Sequence, residues 1–423
     1  MYANRLFTLV LAAWLSCLPA IAAPLPEATP ESAGMSSERL QRLTQVMQKA
    51  IDKGDLPGVV VMLARHGKLV YSKSFGMQDK AKAVPMRTDS IFRAYSMTKP
   101  VVSVAAMMLV EEGKLTLQEP ISKYLPEFKE MKVGVETTDA ATGKMTFSTV
   151  PAKRPITVQD LLRHTSGMPY GEFTPLRYHV QNLYKEADLF APTLSLDAFS
   201  KAVAKLPLCF EPGTAWEYGH SSDILGRVVE VASGQSLDVF FQERIFAPLK
   251  MTDTAFHVPS EKHSRIAQPQ ADPATGKAAD LLDVTKPPAM FAGGHGLVST
   301  AGDYLRFAQM LANGGELEGA RILGPKTVAY MASDHVGDKI SQGSFFIPGP
   351  GYGFGLGFGV RKDTGLSQWP SSVGEFNWGG YAGTAFWVDP KEQLVPVMMM
   401  QSPEQRVQYR ILFRSLVYQA LMK

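Results

Sequence analysis

The spacing of apolar residues changes several times along the chain, and each change predicts an element. From Ser37 to Lys53, Leu40, Leu43, Met47, Ala50 and Ile51 recur three or four positions apart, which predicts an amphipathic helix stopped by Gly54. Gly58 to Ala64 is a continuous apolar run, and Lys68 to Tyr71 follows across His66-Gly67, the chemistry of a tight hairpin. Ser96 to Gly113 turns helical, rich in Ala, Met and Val. Residues 114–290 carry mostly helical signals broken by Pro and Gly clusters, with 134–155 reading as a loose polar stretch. The alternating glycines at 351–359 are interleaved with aromatics and read as a flexible or sharply bent strand. Strand-like runs return at Gly383–Val388 and Leu394–Met399. A last amphipathic helix carries Tyr409, Leu412, Phe413, Leu416, Val417 and Leu421.

This order predicts an α+β fold. An antiparallel sheet is drawn from both chain ends and flanked by the N- and C-terminal helices, with a large, mostly helical domain inserted between. The expected boundaries are 23–95 and 296–423 for the α/β domain and 96–295 for the insertion. Hairpin-like strand spacing argues against a parallel doubly wound sheet. A site is expected where sheet and insertion meet, since clefts between such units hold ligands.

Residues 1–22 stand outside that plan. Arg5 precedes the apolar run Leu6–Leu15, and Ala20-Ile21-Ala22 supplies small residues, the pattern of a secretory signal cleaved near Ala22. A periplasmic or secreted location is expected, without stable membrane insertion once the signal is removed. Cys17 would leave with it, so Cys209 remains alone, no internal disulfide can form, and a buried, inert thiol is expected. The charge balance, 43 − 40 = +3, is small and scattered, which excludes a nucleic-acid partner. The 8 histidines show no i,i+4 pairing, so neither a metal nor another cofactor is expected.

The common signatures G-x-S-x-G, H-E-x-x-H, C-x-x-C, the Walker loop and the dinucleotide fingerprint are missing. What remains is Ser96-Met97-Thr98-Lys99. At helical spacing i and i+3 share a face, so Ser96 Oγ and Lys99 Nζ can meet in one pocket. A serine in a first helical turn faces the positive end of the backbone dipole, which favours negative charge developing on its oxygen. By itself the tetrad is weak. Two further segments add to it: Glu211 to Gly226 places Tyr218 on a loop before a helix, and Phe376 to Thr384 carries Trp378-Gly379-Gly380 into a late strand.

With these motifs, and with Leu161–Gly167, Ile245–Met251 and Gly293–Thr300, the chain resembles the serine β-lactamase-like superfamily over nearly all of residues 30–423. The branch is that of class C β-lactamases and the family VIII carboxylesterases that share their fold. The resemblance implies that Ser96 is the acylated nucleophile, Lys99 its hydrogen-bonded partner and Tyr218 the second basic group. It further implies an oxyanion hole from the backbone N–H groups of Ser96 and Tyr381, with Trp378, Gly379, Gly380 and His220 on the substrate.

Two departures matter. β-Lactamases carry an asparagine two residues after the tyrosine and a lysine at the third motif, where this chain has His220 and Trp378. Losing an amide and a cation disfavours an anionic bicyclic amide, while a tryptophan offers apolar surface to an uncharged ester. The expected activity is hydrolysis of small carboxylic esters through an acyl-enzyme on Ser96, with weak β-lactam hydrolysis as a side activity. A β-lactamase or D-Ala-D-Ala peptidase of the same fold, and a non-catalytic binding domain, remain as alternatives. His164 and Ser166 read as structural, and Glu217 as a solvated carboxylate.

Overall fold

The structure, a computed structural model, describes residues 25–171, 179–272, 275–343 and 345–422. The expected signal at 1–22 lies outside them. Helix α1 (Ser37–Asp52) is capped by Ser36, whose hydroxyl accepts the Arg39 N–H. Strands β1 (Gly58–Arg65) and β2 (Lys68–Asp79) form the predicted hairpin. His66 and Gly67 both take left-handed backbone, φ 54° and 72°, as a two-residue turn matched to strand twist requires. A two-residue strand β3 (Val84–Pro85) ends that edge.

The chain then enters helix α2 (Thr98–Glu111) through a 3-10 turn at Tyr95–Met97. The stretch expected to be loose is instead a hairpin of β4 (Lys132–Thr138) and β5 (Met145–Pro151). Most of its positions are exposed, and only Val133 is buried, with Phe147 packed beside the core, so its apolar alternation is too short to reveal it. Cross-strand threonine pairing, with Thr137 and Thr146 Oγ1 2.7 Å apart, and backbone bonds from Gly134 and Lys132 to Leu208 hold it in place. The rest of residues 96–295 is mostly helices and loops, α3 (Ser221–Ser233) among them, with a two-residue strand at Ala215–Trp216 that pairs with Ser341–Gln342. After α4 (Ala301–Ala312), the late strands are β6 (Tyr352–Phe354), β7 (Gly359–Arg361), β8 (Phe376–Gly379), β9 (Ala385–Val388) and β10 (Leu394–Met400). The bent glycine strand is thus the short antiparallel pair β6–β7, with Gly357 at φ 106° in its turn.

One eight-stranded sheet joins both chain ends in the order β6-β7-β8-β9-β10-β1-β2-β3, with β1 antiparallel to both β10 and β2. Val59, Val61 and Leu63 of β1 pack under α1 and the last helix, α5 (Arg406–Tyr418), with Leu43, Met47 and Phe413. Val60, Met62 and Ala64 point the other way, into the core shared with α2 and α4. Burial on both faces explains why β1 is continuously apolar although its neighbours are antiparallel. The core face of the sheet shares its buried cluster with α2, and the candidate residues converge at the start of that helix.

Candidate active site

Ser96 sits in the turn that opens α2, and the surrounding contacts hold that turn from several sides. The Ala94 N–H donates to Leu297 O at 2.9 Å, the Thr98 hydroxyl to Tyr95 O at 2.7 Å, and the Tyr304 hydroxyl to Met97 O at 2.8 Å. Tyr95 has φ 47°, a left-handed conformation that costs a non-glycine residue about 1–2 kcal/mol and persists only where neighbours impose it.

Lys99 lies one helical turn on, 1% exposed, with its amine donating to Ser96 Oγ at 3.5 Å, Tyr170 Oη at 3.1 Å and Gly294 O at 2.8 Å. The i,i+3 spacing therefore brings the pair together as predicted. Lys99 Nζ also lies 4.6 Å from the centre of the Tyr218 ring. Sequence reasoning placed Tyr218 here but missed Tyr170, whose ring packs edge-on to Tyr218 at 5.3 Å. Burial, then the charges of Asp223 and Tyr218, push the Tyr170 phenol well above its ordinary range, so it keeps its proton. The available signal was its position three residues beyond Leu161–Gly167.

Trp378 is buried against Tyr218, ring centres 5.6 Å apart, and against Phe354 at 5.4 Å. The next two residues are glycines because two neighbours press on them. A Cβ on Gly380 would lie 2.2 Å from Ala94 O, and one on Gly379 would lie 2.6 Å from the Arg410 guanidinium carbon. That close approach sets the end of β8 beside the Ser96 turn, and the Thr384 hydroxyl donates to Ala94 O at 3.1 Å. Tyr381 follows directly, its ring 5.5 Å from that of Tyr95. Arg410 reaches from α5 to the carbonyls of Gly380 and Thr384.

His220, expected on the substrate, stands at the start of α3. It is 1% exposed, enclosed by Tyr170, Tyr184, Phe190 and Phe199, with Nδ1 3.5 Å from Asp223 Oδ2. As the residue capping α3 it is turned inward by the helix that begins at Ser221, so it supports the site from beneath. His164 packs on Tyr218 at 5.1 Å, and burial, then the Lys99 charge, drives its imidazole well below the usual range. Ser166 Oγ bonds Ser221 Oγ at 2.7 Å, tying the loop to α3. Glu217, expected in solvent, is 4% exposed. Cys209 is partly buried, and burial raises its thiol, which stays protonated. Among the described residues there is no cluster of three or more His, Cys, Asp or Glu able to hold a metal ion, and no helix long and apolar enough to cross a membrane.

A serine held on a rigid turn beside a buried amine, two phenols and a strand end is an arrangement for acyl transfer. The Beta-lactamase family profile matches residues 43–419. An uncharacterized protein of Mycobacterium tuberculosis is 36% identical over 366 residues, 84% of this chain and 88% of its own length. Esterase EstB of Burkholderia gladioli is 31% identical over 368 residues, 82% of this chain and 86% of its own. Among solved structures, EstCE1, a hydrolase with promiscuous acyltransferase activity, superposes with a TM-score of 0.74 at 26% identity, covering 92% of this chain and 99% of its own.

Proposed function

Because this chain belongs to the β-lactamase family, a fold that carries serine hydrolases and their esterase relatives, we propose that it is an exported carboxylesterase cleaving small uncharged esters through an acyl-enzyme on Ser96. The observation that carries this reading is the Ser96–Lys99 contact at 3.5 Å, on a turn pressed against the end of β8. In the proposed cycle Ser96 Oγ attacks the ester carbonyl while its proton passes towards the Lys99 and Tyr218 pair. The carbonyl oxygen becomes an oxyanion facing the N–H groups of Ser96 and Tyr381, and the alcohol leaves with the proton. Water, deprotonated by the same pair, then releases the acid and regenerates Ser96.

Two features support esters over β-lactams and peptides. No lysine stands at Trp378 to meet a substrate carboxylate, and His220 is turned into the protein where an asparagine amide would be needed. Arg410 does not replace the missing cation on this reading, since its guanidinium is engaged with the carbonyls of Gly380 and Thr384. Transfer of the acyl group to an alcohol uses the same intermediate, and the acyltransferase activity named for EstCE1 favours keeping it as a second reading.

The test is a parallel assay of p-nitrophenyl butyrate and a chromogenic cephalosporin, with Ser96→Ala as control and an added alcohol as competing acceptor. Ester turnover should exceed cephalosporin turnover and vanish in Ser96→Ala, with one adduct on Ser96 after fluorophosphonate treatment. Equal or faster cephalosporin turnover, or full activity in Ser96→Ala, would overturn the reading.

A further inference from the structure

Asp223, in the first turn of α3, is a fully buried carboxylate at 0% exposure, and none of the proposed steps uses it. A buried ion costs several kcal/mol unless the surroundings compensate it. The compensation around Asp223 is specific. The Gly294 N–H donates to Oδ1 at 2.8 Å, His295 Nδ1 stands 3.6 Å from Oδ1, and His220 Nδ1 stands 3.5 Å from Oδ2. Burial favours the neutral acid, but the His220 contact and the charges of His295, His220 and Lys99 outweigh it and hold the carboxyl at about 2. Asp223 is therefore ionised at every working pH.

The other side of Gly294 faces the nucleophile. Its carbonyl accepts the Lys99 amine at 2.8 Å, so one residue presents its N–H to the buried carboxylate and its C=O to the buried amine. The backbone is shaped for this approach. A Cβ on Gly294 would stand 2.7–3.0 Å from the Asp223 carboxylate, and one on Gly293 would stand 2.5 Å from Ser222 O. Both glycines are needed for the loop to lie this close to α3.

We infer that Asp223 is a positioning residue: through Gly294 it fixes the Lys99 amine against Ser96, and it supplies the buried negative charge that balances that amine. The inference rests on the esterase reading for its substrate but not for its geometry. The groups facing Asp223 are Lys99 from α2, Tyr170 and His164 from the segment after residue 160, His220 from the start of α3 and His295 from the 293–297 loop. Burial keeps His295 below its usual range against the pull of Asp223, with Lys99 and His220 adding to the effect of burial.

The test compares Asp223→Asn, which removes the charge and keeps an acceptor for the Gly294 N–H, with Gly294→Ala, which keeps the charge and displaces the loop. Each is followed by the pH dependence of two rates: phosphonylation of Ser96 by a fluorophosphonate and turnover of p-nitrophenyl butyrate. Without the negative charge a basic group in the site loses its proton more readily, so the acidic limb of both profiles should move to lower pH in Asp223→Asn. Gly294→Ala should leave the limb in place and lower kcat about a hundredfold, the cost of roughly 1 Å of misplacement, with KM little changed. A purely structural role would lower melting temperature without moving the limb. Unchanged profiles and rates in a folded Asp223→Asn overturn the inference. If that variant does not fold, wild-type kcat in Gly294→Ala overturns it. Absence of Ser96 labelling and of ester turnover in the unmutated protein would instead refute the esterase reading.

Discussion

Gly380→Ala isolates the contact that sets the strand end beside the nucleophile. Gly380 is not in the left-handed region, so alanine meets no backbone strain there, and the whole effect comes from one added methyl group. That methyl would lie 2.2 Å from Ala94 O and 2.3 Å from Thr384 Oγ1. Ordinary contacts begin above 3 Å, so one side must give way by roughly 1 Å. Ala94 cannot readily do so, because its N–H is bonded to Leu297 O at 2.9 Å and its carbonyl accepts from Thr384. The end of β8 should therefore move, carrying the Tyr381 N–H away from the oxyanion. Loss of one such donor costs about 10²–10³ in kcat, and overpacking costs about 1–3 kcal/mol of stability. KM should change little, because the donor acts on charge that appears only in the transition state. Steady-state and burst kinetics with p-nitrophenyl butyrate, with thermal melting alongside, measure both effects. Gly365→Ala is the control, since its Cβ meets only Asp363 Oδ1 at 3.5 Å. A folded Gly380→Ala enzyme with kcat within threefold of the unmutated protein would refute the proposed oxyanion site.

Other substitutions test separate links. Tyr218→Phe should lower kcat by about 10²–10⁴, and combining it with Lys99→Met should cost far less than the product of the two losses; strictly multiplicative losses would show that the two residues do not share a step. Tyr170→Phe, which removes a phenol that keeps its proton, should cost less than Tyr218→Phe in the same assay; the opposite ranking would exchange their roles. Trp378→Ala should destabilise the fold by about 3–5 kcal/mol in urea unfolding, because the indole is buried against Tyr218 and Phe354; a loss below 1 kcal/mol would contradict that packing. Asp303 predicts a pH effect on stability: burial raises its carboxyl to about 6, above the unfolded value of about 3.9. Its contribution is then complete below about pH 4 and lost as pH rises through 6, a span of about 3 kcal/mol. Asp303→Asn should flatten the urea-unfolding free energy across that window, and an unaltered slope would assign the pH dependence to other groups.

Much of this protein is legible in its one-dimensional pattern. Strands β1, β9 and β10 are read from continuous apolar runs, being buried on both faces, and the β1–β2 turn from His66-Gly67, whereas helical period places α1 and α5, because each buries one face at that spacing. The Ser96–Lys99 pairing is legible for the same reason, since three residues along a helix is a fixed distance. The β4–β5 hairpin is illegible: most of its positions are exposed, so its stability lies in strand pairing, in Val133 and in Leu208, far along the chain. Only the tertiary structure decides which of two tyrosines bonds the Lys99 amine, that His220 faces inward, and that Asp223 and Lys99 are linked through Gly294. These facts depend on segments from residues 99, 170, 220 and 294 meeting in one place. Local periodicity specifies which face of an element is buried, whereas the partner of a buried polar group is chosen by whichever distant segment the packing delivers.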